Sequence, residues 1–339
     1  MQGLIPVVVV NDTRVDRHHG CTRVMTAIEA LVASMGGQVI ATSPAHRDWK
    51  SQPGFIAAFE RARLVLVNGE GTLHHDRPAG KMLLEVGAWA RQRGVPSALI
   101  NAGWEANGPE LLAQLPDFDL LAVRDSRSAK EIGAAGHACR VVPDLSLYGS
   151  SPDRDAARQG IAVTDSVERT TALALDRLRR RMGARASAIQ YREPGPGAGL
   201  RFLREAFAAR DLLSPGFAFG LLSARLAQLH ATVASAEDYL DQLARTRLLV
   251  SGRFHACTLA LAAGTPFVAV ASNTSKIAAL VEDVELPAWR ANTSLAPADI
   301  DLAASRGWEK NETAAIENYL SEARSKAEGL FRDLRELVQ

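Results

Sequence analysis

The chain has 339 residues, long enough for two hydrophobic cores, and 47% hydrophobic against 23% charged residues is the composition of a globular protein. Lys and Arg total 39 against 38 Asp and Glu, a net charge of +1, so there is no overall basic field to hold DNA or RNA, and a general nucleic-acid partner is excluded. Three cysteines (Cys21, Cys139 and Cys257) form no CxxC pair and no disulfide framework, and fit a reducing compartment.

The first strand-like run, Ile5 to Val10, is largely β-branched and suits a strand buried on both faces. It has no basic segment or cleavage site before it, and the apolar runs Ile5 to Val10 and Thr258 to Ala271 are too short or too broken to span a bilayer. A cytoplasmic protein is expected, with peripheral contact at the inner face of the cytoplasmic membrane still compatible. Cys21 to Ser34 carries Val24, Ile28, Leu31 and Val32 at helical spacing. Gln38 to Ala41 is a strand, Phe55 to Arg61 a helix, and Leu64 to Val67 a strand. Lys81 to Arg93 is a helix stopped by Gly94. Val95 to Asn101 and Leu120 to Val123 are strands, and Ser126 to Ala135 is a helix. Alternation of this kind predicts α/β structure with a doubly wound parallel sheet.

Gly149 to Gln159 is polar, contains Pro152 and reads as a linker. The pattern then restarts. Strand Ile161 to Thr164, helix Val167 to Met182, strand Ala186 to Tyr191 and helix Gly199 to Ala209 come first. Helix Ala236 to Arg245, strand Arg247 to Val250, helix His255 to Ala263, strand Pro266 to Val270 and helix Ser275 to Val281 follow. Thr313 to Val338 reads as one amphipathic helix with Ile316, Tyr319, Leu320, Ala323, Leu330, Leu334 and Val338 on one stripe, Gly329 lying inside it. The expected organisation is a first Rossmann-like lobe over 1–150, a linker over 151–159, a second lobe over 160–300 and a tail over 301–339 whose helix packs back across the lobes. Two such lobes would face a central cleft.

In open parallel sheets ligands bind at the carboxyl ends of the strands. The residues there in the first lobe are Asn11 after the first strand, His18 and His19 beyond it, and Asn68-Gly69-Glu70-Gly71-Thr72-Leu73-His74-His75 after the third. Arg124-Asp125 follows the fifth, and Pro143-Asp144 ends the lobe. The glycines beside Glu70 predict a sharp turn that sets the carboxylate at the strand tip; the plainer alternative is a turn with a solvated Glu70. The paired histidines lack the HxxxH or HExxH spacing of a metal helix, so no metal is expected.

In the second lobe, Ser251-Gly252-Arg253-Phe254-His255 joins a strand to a helix, with Gly252 expected to make the turn. Backbone N–H groups at a helix start and the Arg253 fork favour an anion. Ser272-Asn273-Thr274-Ser275-Lys276 opens the next helix. Together these form an anion cradle without a Walker motif. The alternative is that Arg253 pairs with a carboxylate and His255 caps its helix.

At these residues the chain resembles the polysaccharide pyruvyl transferase superfamily. The resemblance rests on Asn68 to Thr72, Arg124-Asp125, Pro143-Asp144, Arg253-Phe254-His255, Gly264-Thr265-Pro266 and Lys276, in order over about residues 5 to 285. It implies a GT-B-like fold and transfer of pyruvyl from phosphoenolpyruvate onto a sugar hydroxyl of a cell-surface polysaccharide, giving a ketal. Two segments depart from the usual pattern: Glu70 stands where most members have glycine, and His19-Gly20-Cys21 is not the common form. The superfamily is also similar to bacterial transferases that use CMP-activated Kdo, a 2-keto sugar acid, so two donors stay open.

For pyruvyl transfer His255 is the expected acid, with Glu70 or Asp144 as base, and Arg253 and Lys276 hold the donor with Ser251, Gly252, Ser272, Asn273 and Thr274. For retaining Kdo transfer Asp144 is the expected nucleophile, unless it only caps a turn after Pro143. Asn11, His19, Asn68, Gly69, Gly71, Thr72, His74 and Arg124 are expected around the ligand. The donor is a substrate and no cofactor is expected; the acceptor is a saccharide or lipid-linked glycan. A non-catalytic anion-binding protein is the third reading.

Overall fold

The computed structural model describes residues 4–152, 156–191, 215–270 and 275–339. The chain divides into two compact units. Unit 1 comprises Met1–Asp16, Cys21–Ser150 and Ala314–Gln339; unit 2 comprises Arg17–Gly20 and Ser151–Thr313. The short segment Arg17–Gly20 thus belongs with the second unit although its neighbours in sequence belong to the first. The boundary near Ser150 falls in the polar stretch after Gly149.

Unit 1 is built on a six-stranded parallel sheet: β1 (Ile5–Asp12), β2 (Gly37–Pro44), β3 (Leu64–His74), β4 (Ser97–Glu105), β5 (Leu120–Val123) and β6 (Arg140–Val141), in the order β2-β1-β3-β4-β5-β6. The pleat of β1 sends Val7 and Val9 to one face and Val8 and Val10 to the other. On the first face they pack with Val24, Ile28, Leu31 and Val32 of helix His19–Ser34. The last helix, Lys310–Leu337, runs unbroken through Gly329 and adds Ala327, Leu330, Phe331 and Leu334 to that same layer. The other face packs on helices Pro53–Phe59 and Pro78–Gln92.

Unit 2 holds a parallel sheet of β7 (Gln159–Ser166), β8 (Arg185–Ala186), β9 (Thr246–Gly252) and β10 (Phe267–Ala269), in the order β10-β9-β7-β8. Ile161, Val163, Leu248, Val250 and Val268 pack with Leu175 and Leu178 of helix Arg169–Arg181 and with Ile300, Ala303 and Ala304 of helix Pro297–Arg306. The start of the last helix is tied to this unit by a buried pair, Arg290 Nε and Nη2 on the Glu312 carboxylate at 2.5 and 2.7 Å.

Expected and observed elements agree to within a few residues for most segments, with informative exceptions. β3 does not stop at Val67 but runs to His74, and the expected strand Ala186–Tyr191 reduces to Arg185–Ala186 plus one bridge at Gln190. Helices Pro215–His230 and Pro297–Arg306 were not anticipated. The expected helix Gly199–Ala209 lies outside the described residues. No helix among the described residues is long and apolar enough to cross a membrane.

Candidate active site

In unit 1 the order of strands places the topological switch between β1 and β3, where α/β sheets bind ligands at the strand ends. The glycine motif does not turn there. β3 continues through it with an irregularity between Glu70 and Leu73, because Gly69 is needed for close approach: a Cβ on it would lie 2.6 Å from the Cβ of Ala102 on β4. Gly71 is exposed. Three neighbouring strands each carry a buried residue in the left-handed region: Asn11 (φ 71°) at the end of β1, and Glu70 (φ 39°) and Asn101 (φ 54°) within β3 and β4. Such backbone is held only where surrounding bonds determine it.

Those bonds form a ladder across the sheet. Asn11 Nδ2 donates to the carbonyl of Asn68 at 2.6 Å, and also reaches Thr72 Oγ1 at 3.5 Å. Asn101 Nδ2 donates to Asn68 Oδ1 at 3.2 Å, and Asn101 Oδ1 accepts from the amide of Leu145 at 3.0 Å. Glu70 is buried inside this ladder rather than solvated. Its Oε1 accepts from Thr13 Oγ1 at 2.5 Å and from Asn68 Nδ2 at 3.3 Å, and its Oε2 accepts from Cys21 Sγ at 3.4 Å. Three donors thus fix the orientation of this carboxyl. Burial first, and then the charges of Glu70 and Asp16, hold the Cys21 thiol protonated, with its pKa well above the ordinary value.

Asp144 is engaged on both oxygens: Oδ1 accepts from Ser146 N at 2.9 Å and Oδ2 from Arg124 Nη1 at 3.0 Å, with the two side chains 1% and 3% exposed. It caps the turn Leu145–Leu147, the plainer of its expected roles. Arg124 fits because Gly103 leaves room, a Cβ there falling 3.1 Å from Nη2. His74 stands at the end of β3 with its Nδ1 3.0 Å from His75 Nδ1.

In unit 2 the switch lies between β7 and β9, and the Arg253 loop sits at their carboxyl ends. Gly252 makes no turn. It ends β9, and a Cβ on it would meet Ser166 Cβ at 2.7 Å on β7. Ser251 is buried; its Oγ accepts from Arg253 N and lies 3.0 Å from Thr164 Oγ1. It holds the loop. Arg253 stands at the N-cap of helix Phe254–Ala262 and is gripped by Asp165 of β7, Nε to Oδ1 at 2.7 Å and Nη2 to Oδ2 at 2.6 Å. The expected carboxylate partner is therefore present. Ser272, Asn273 and Thr274 lie outside the described residues; Lys276 opens helix Lys276–Asp283.

The two histidines of the Arg17–Gly20 segment have opposite fates. His19, expected beside the ligand, is fully buried, its ring stacked between Tyr191 and Tyr239 with centroids at 5.2 and 5.1 Å. Burial lowers its pKa to about 4. Neither ring nitrogen has a hydrogen-bond partner among the described residues. His18 instead meets the ring of His255 edge-on at 5.1 Å. Burial, then the charges of His255, Arg253, His19 and Lys276, hold His18 well below the ordinary histidine range. Thr13, Asn101, Asp165 and Gly20 were not among the expected site residues, and His18, placed by its sequence beyond the first strand, was given no role. Asn101 carried a signal, since it ends an expected strand.

A family model for polysaccharide pyruvyl transferase matches residues 25–274, most of the chain. No curated protein sequence matches it. Among solved structures, a Listeria monocytogenes protein assigned as a UDP-N-acetylglucosamine 2-epimerase aligns with TM-score 0.54 at 12% identity, over 96% of this chain and 94% of that one. A UDP-GlcNAc 2-epimerase from Neisseria meningitidis bound to UDP-GlcNAc aligns with TM-score 0.51 at 10% identity, over 97% and 98%. A UGT transferase from Siraitia grosvenorii in complex with UDP gives 0.50 at 10% identity, over 98% and 100%. At such identity the likeness is one of fold, two Rossmann-like units of GT-B type.

Proposed function

Because the chain belongs to the polysaccharide pyruvyl transferase family, an enzyme family of group transfer onto polysaccharide, we propose that it moves pyruvyl from phosphoenolpyruvate to sugar hydroxyls. The observation that carries this reading is in unit 2. Arg253 stands at a helix start after the carboxyl end of β9, the adjoining His255 ring meets the buried His18 imidazole at 5.1 Å, and Lys276 opens the next helix, at the end of the sheet where α/β folds take ligands. An anion is the ligand such a cluster favours, and phosphoenolpyruvate carries both a carboxylate and a phosphate. Arg253, held flat by Asp165, offers a planar fork to one of them.

In this reaction a sugar oxygen bonds to C2 of the enolpyruvyl group while C3 takes a proton. A second hydroxyl of the acceptor then replaces phosphate at C2, closing the ketal. One hydroxyl proton balances the new methyl group and the other leaves with phosphate. His255 is the candidate acid toward C3 and Glu70 the candidate base for a hydroxyl. The acceptor class that goes with this is a cell-surface saccharide unit, built on a lipid carrier at the inner membrane face and met peripherally. Transfer of a CMP-activated 2-keto sugar acid would need Asp144 as nucleophile, and its ion pair with Arg124 works against that role, whereas Glu70 has no ion pair among the described residues.

The test is thermal: the melting temperature of the full chain with phosphoenolpyruvate, with CMP and with neither. Stabilisation by phosphoenolpyruvate alone supports the reading. Stabilisation by CMP alone overturns it.

A further inference from the structure

We propose that His18 contacts the anionic donor directly and that anion binding in unit 2 is coupled to uptake of one proton by this imidazole. The inference rests on the reading of unit 2 as the donor site and adds to it a residue and a linkage.

The backbone fixes where His18 stands. It forms an antiparallel bridge with Gln190, flanked by His19 N to Ile189 O at 3.0 Å and Tyr191 N to Arg17 O at 2.9 Å. The side chain is 9% exposed, and its Nδ1 is buried with no hydrogen-bond partner among the described residues. A buried polar atom left in this way is costly, so structures retain one where something else satisfies it. His19, the other orphan of the segment, is enclosed by two tyrosine rings, whereas His18 faces groups of a different kind.

Those groups are His255 and Arg253 from the start of helix Phe254–Ala262, Lys276 from the start of helix Lys276–Asp283, and His19 and the protonated thiol of Cys21 from the following stretch of chain, Cys21 Sγ lying within 4.8 Å of the His18 and His255 rings. All are cationic or neutral. Asp165, the carboxylate that pairs with Arg253, is engaged there on both oxygens. In this field a proton on His18 is disfavoured, and the ring is neutral at pH 7. A bound anion reverses both conditions. It offsets the cations, and it accepts a hydrogen bond that an imidazolium can give from either nitrogen. The balance is simple: neutral His18, a proton from solvent and the anion become imidazolium paired with the anion, with no covalent change.

Linkage then requires anion affinity to fall tenfold per pH unit wherever free His18 is neutral and bound His18 is charged. Sulfate is the cleanest probe, since it does not titrate near neutrality. Isothermal titration calorimetry of the full chain with sulfate, in buffers of different ionisation enthalpy between about pH 6 and 8, should show close to one proton taken up. His18→Gln should bind sulfate with no uptake and no pH slope. Binding by the wild type without uptake, or uptake that survives His18→Gln, overturns the proposal. Should that variant not fold, His18→Asn takes its place, and the wild-type buffer series decides alone. Should only phosphoenolpyruvate bind, the same series is read with its own ionisation subtracted. Phosphoenolpyruvate binding without uptake sinks this inference and spares the donor site; binding of neither anion sinks both.

Discussion

The backbone of Gly20 lies directly against the imidazole of His255: a Cβ on Gly20 would fall 2.3 Å from both Cβ and Cγ of His255 and 2.7 Å from its Nδ1. Both residues belong to unit 2. Glycine at this position is thus a condition for where His255 points. Helix Phe254–Ala262 is buried along its length and cannot move aside. Gly20→Ala should therefore lower stability by about 1–3 kcal/mol and displace the His255 ring. Urea unfolding and the melting shift with phosphoenolpyruvate check this together. A variant as stable as the wild type, with the same shift, would contradict it.

Arg253 is held by a bidentate ion pair that leaves its position defined before any ligand arrives. Arg253→Ala should weaken phosphoenolpyruvate binding by roughly 2–5 kcal/mol, the usual range for truncating one partner of a desolvated charge pair. Asp165→Asn should keep the fold but loosen the guanidinium, with a smaller loss. Calorimetric titration of both variants checks the order. Equal affinities for Arg253→Ala and wild type would remove Arg253 from the donor site.

Much of this fold was legible because its signals are local. The β-branched run at Ile5–Val10 and the helical spacing of Val24, Ile28, Leu31 and Val32 depend only on nearby residues. What was illegible depends on partners far along the chain. Gly69 and Gly252 read as turns, because glycine usually frees the backbone. Here each makes room for a neighbouring strand, and only the pairing of β3 with β4 and of β9 with β7 discloses it. His19 read as a ligand-facing residue because Tyr191 and Tyr239, which enclose it, leave no mark near it in sequence. Asp165 and Arg253 each follow a strand, but nothing in either segment says that the two strands are adjacent.

Asp144 and Arg124 form a pair in which both side chains are almost wholly buried. Removing one partner strands a charge. Arg124→Ala should destabilise the chain by about 3–5 kcal/mol. Asp144→Asn leaves one oxygen for two donors, Ser146 N and Arg124 Nη1, and strands the buried guanidinium, so it should cost a comparable amount while leaving the proposed donor binding in unit 2 intact. Denaturant unfolding of both variants gives the comparison. A stable Asp144→Asn that has lost all turnover would restore a chemical role to this carboxylate.

His19 is kept neutral by burial, with the charge of Asp238 acting weakly the other way. Its pKa of about 4 in the folded chain lies below the ordinary 6.5 of an unfolded one. Between those values the unfolded state binds more protons, so stability rises with pH there. The contribution is complete above about pH 6.5 and is lost as pH falls towards 4, about 3 kcal/mol in all. His19→Phe retains the stack on Tyr191 and Tyr239 and should flatten that part of the pH–stability curve. Chemical denaturation at pH 4.5, 5.5 and 7 decides it. An unchanged slope would mean that another group titrates.

Glu70 presents the sharpest contrast between sequence and structure, since a carboxylate beside glycines is instead buried under three donors. The donors fix its orientation. Glu70→Gln keeps the shape but replaces one acceptor oxygen with an N–H₂ that must face Thr13 Oγ1 or Cys21 Sγ. Those two groups can rotate a hydrogen away, so the fold should survive at a modest cost. The proposed donor-binding cluster belongs to the other unit, and the phosphoenolpyruvate melting shift should persist. Turnover should not. Loss of a general base costs about 10²–10⁴-fold, read as phosphate released from phosphoenolpyruvate in the presence of a glycan acceptor, with the ketal methyl followed by NMR. A Glu70→Gln enzyme within a few-fold of wild type would show that this carboxylate only supports the strand ends, and the base would have to be sought elsewhere.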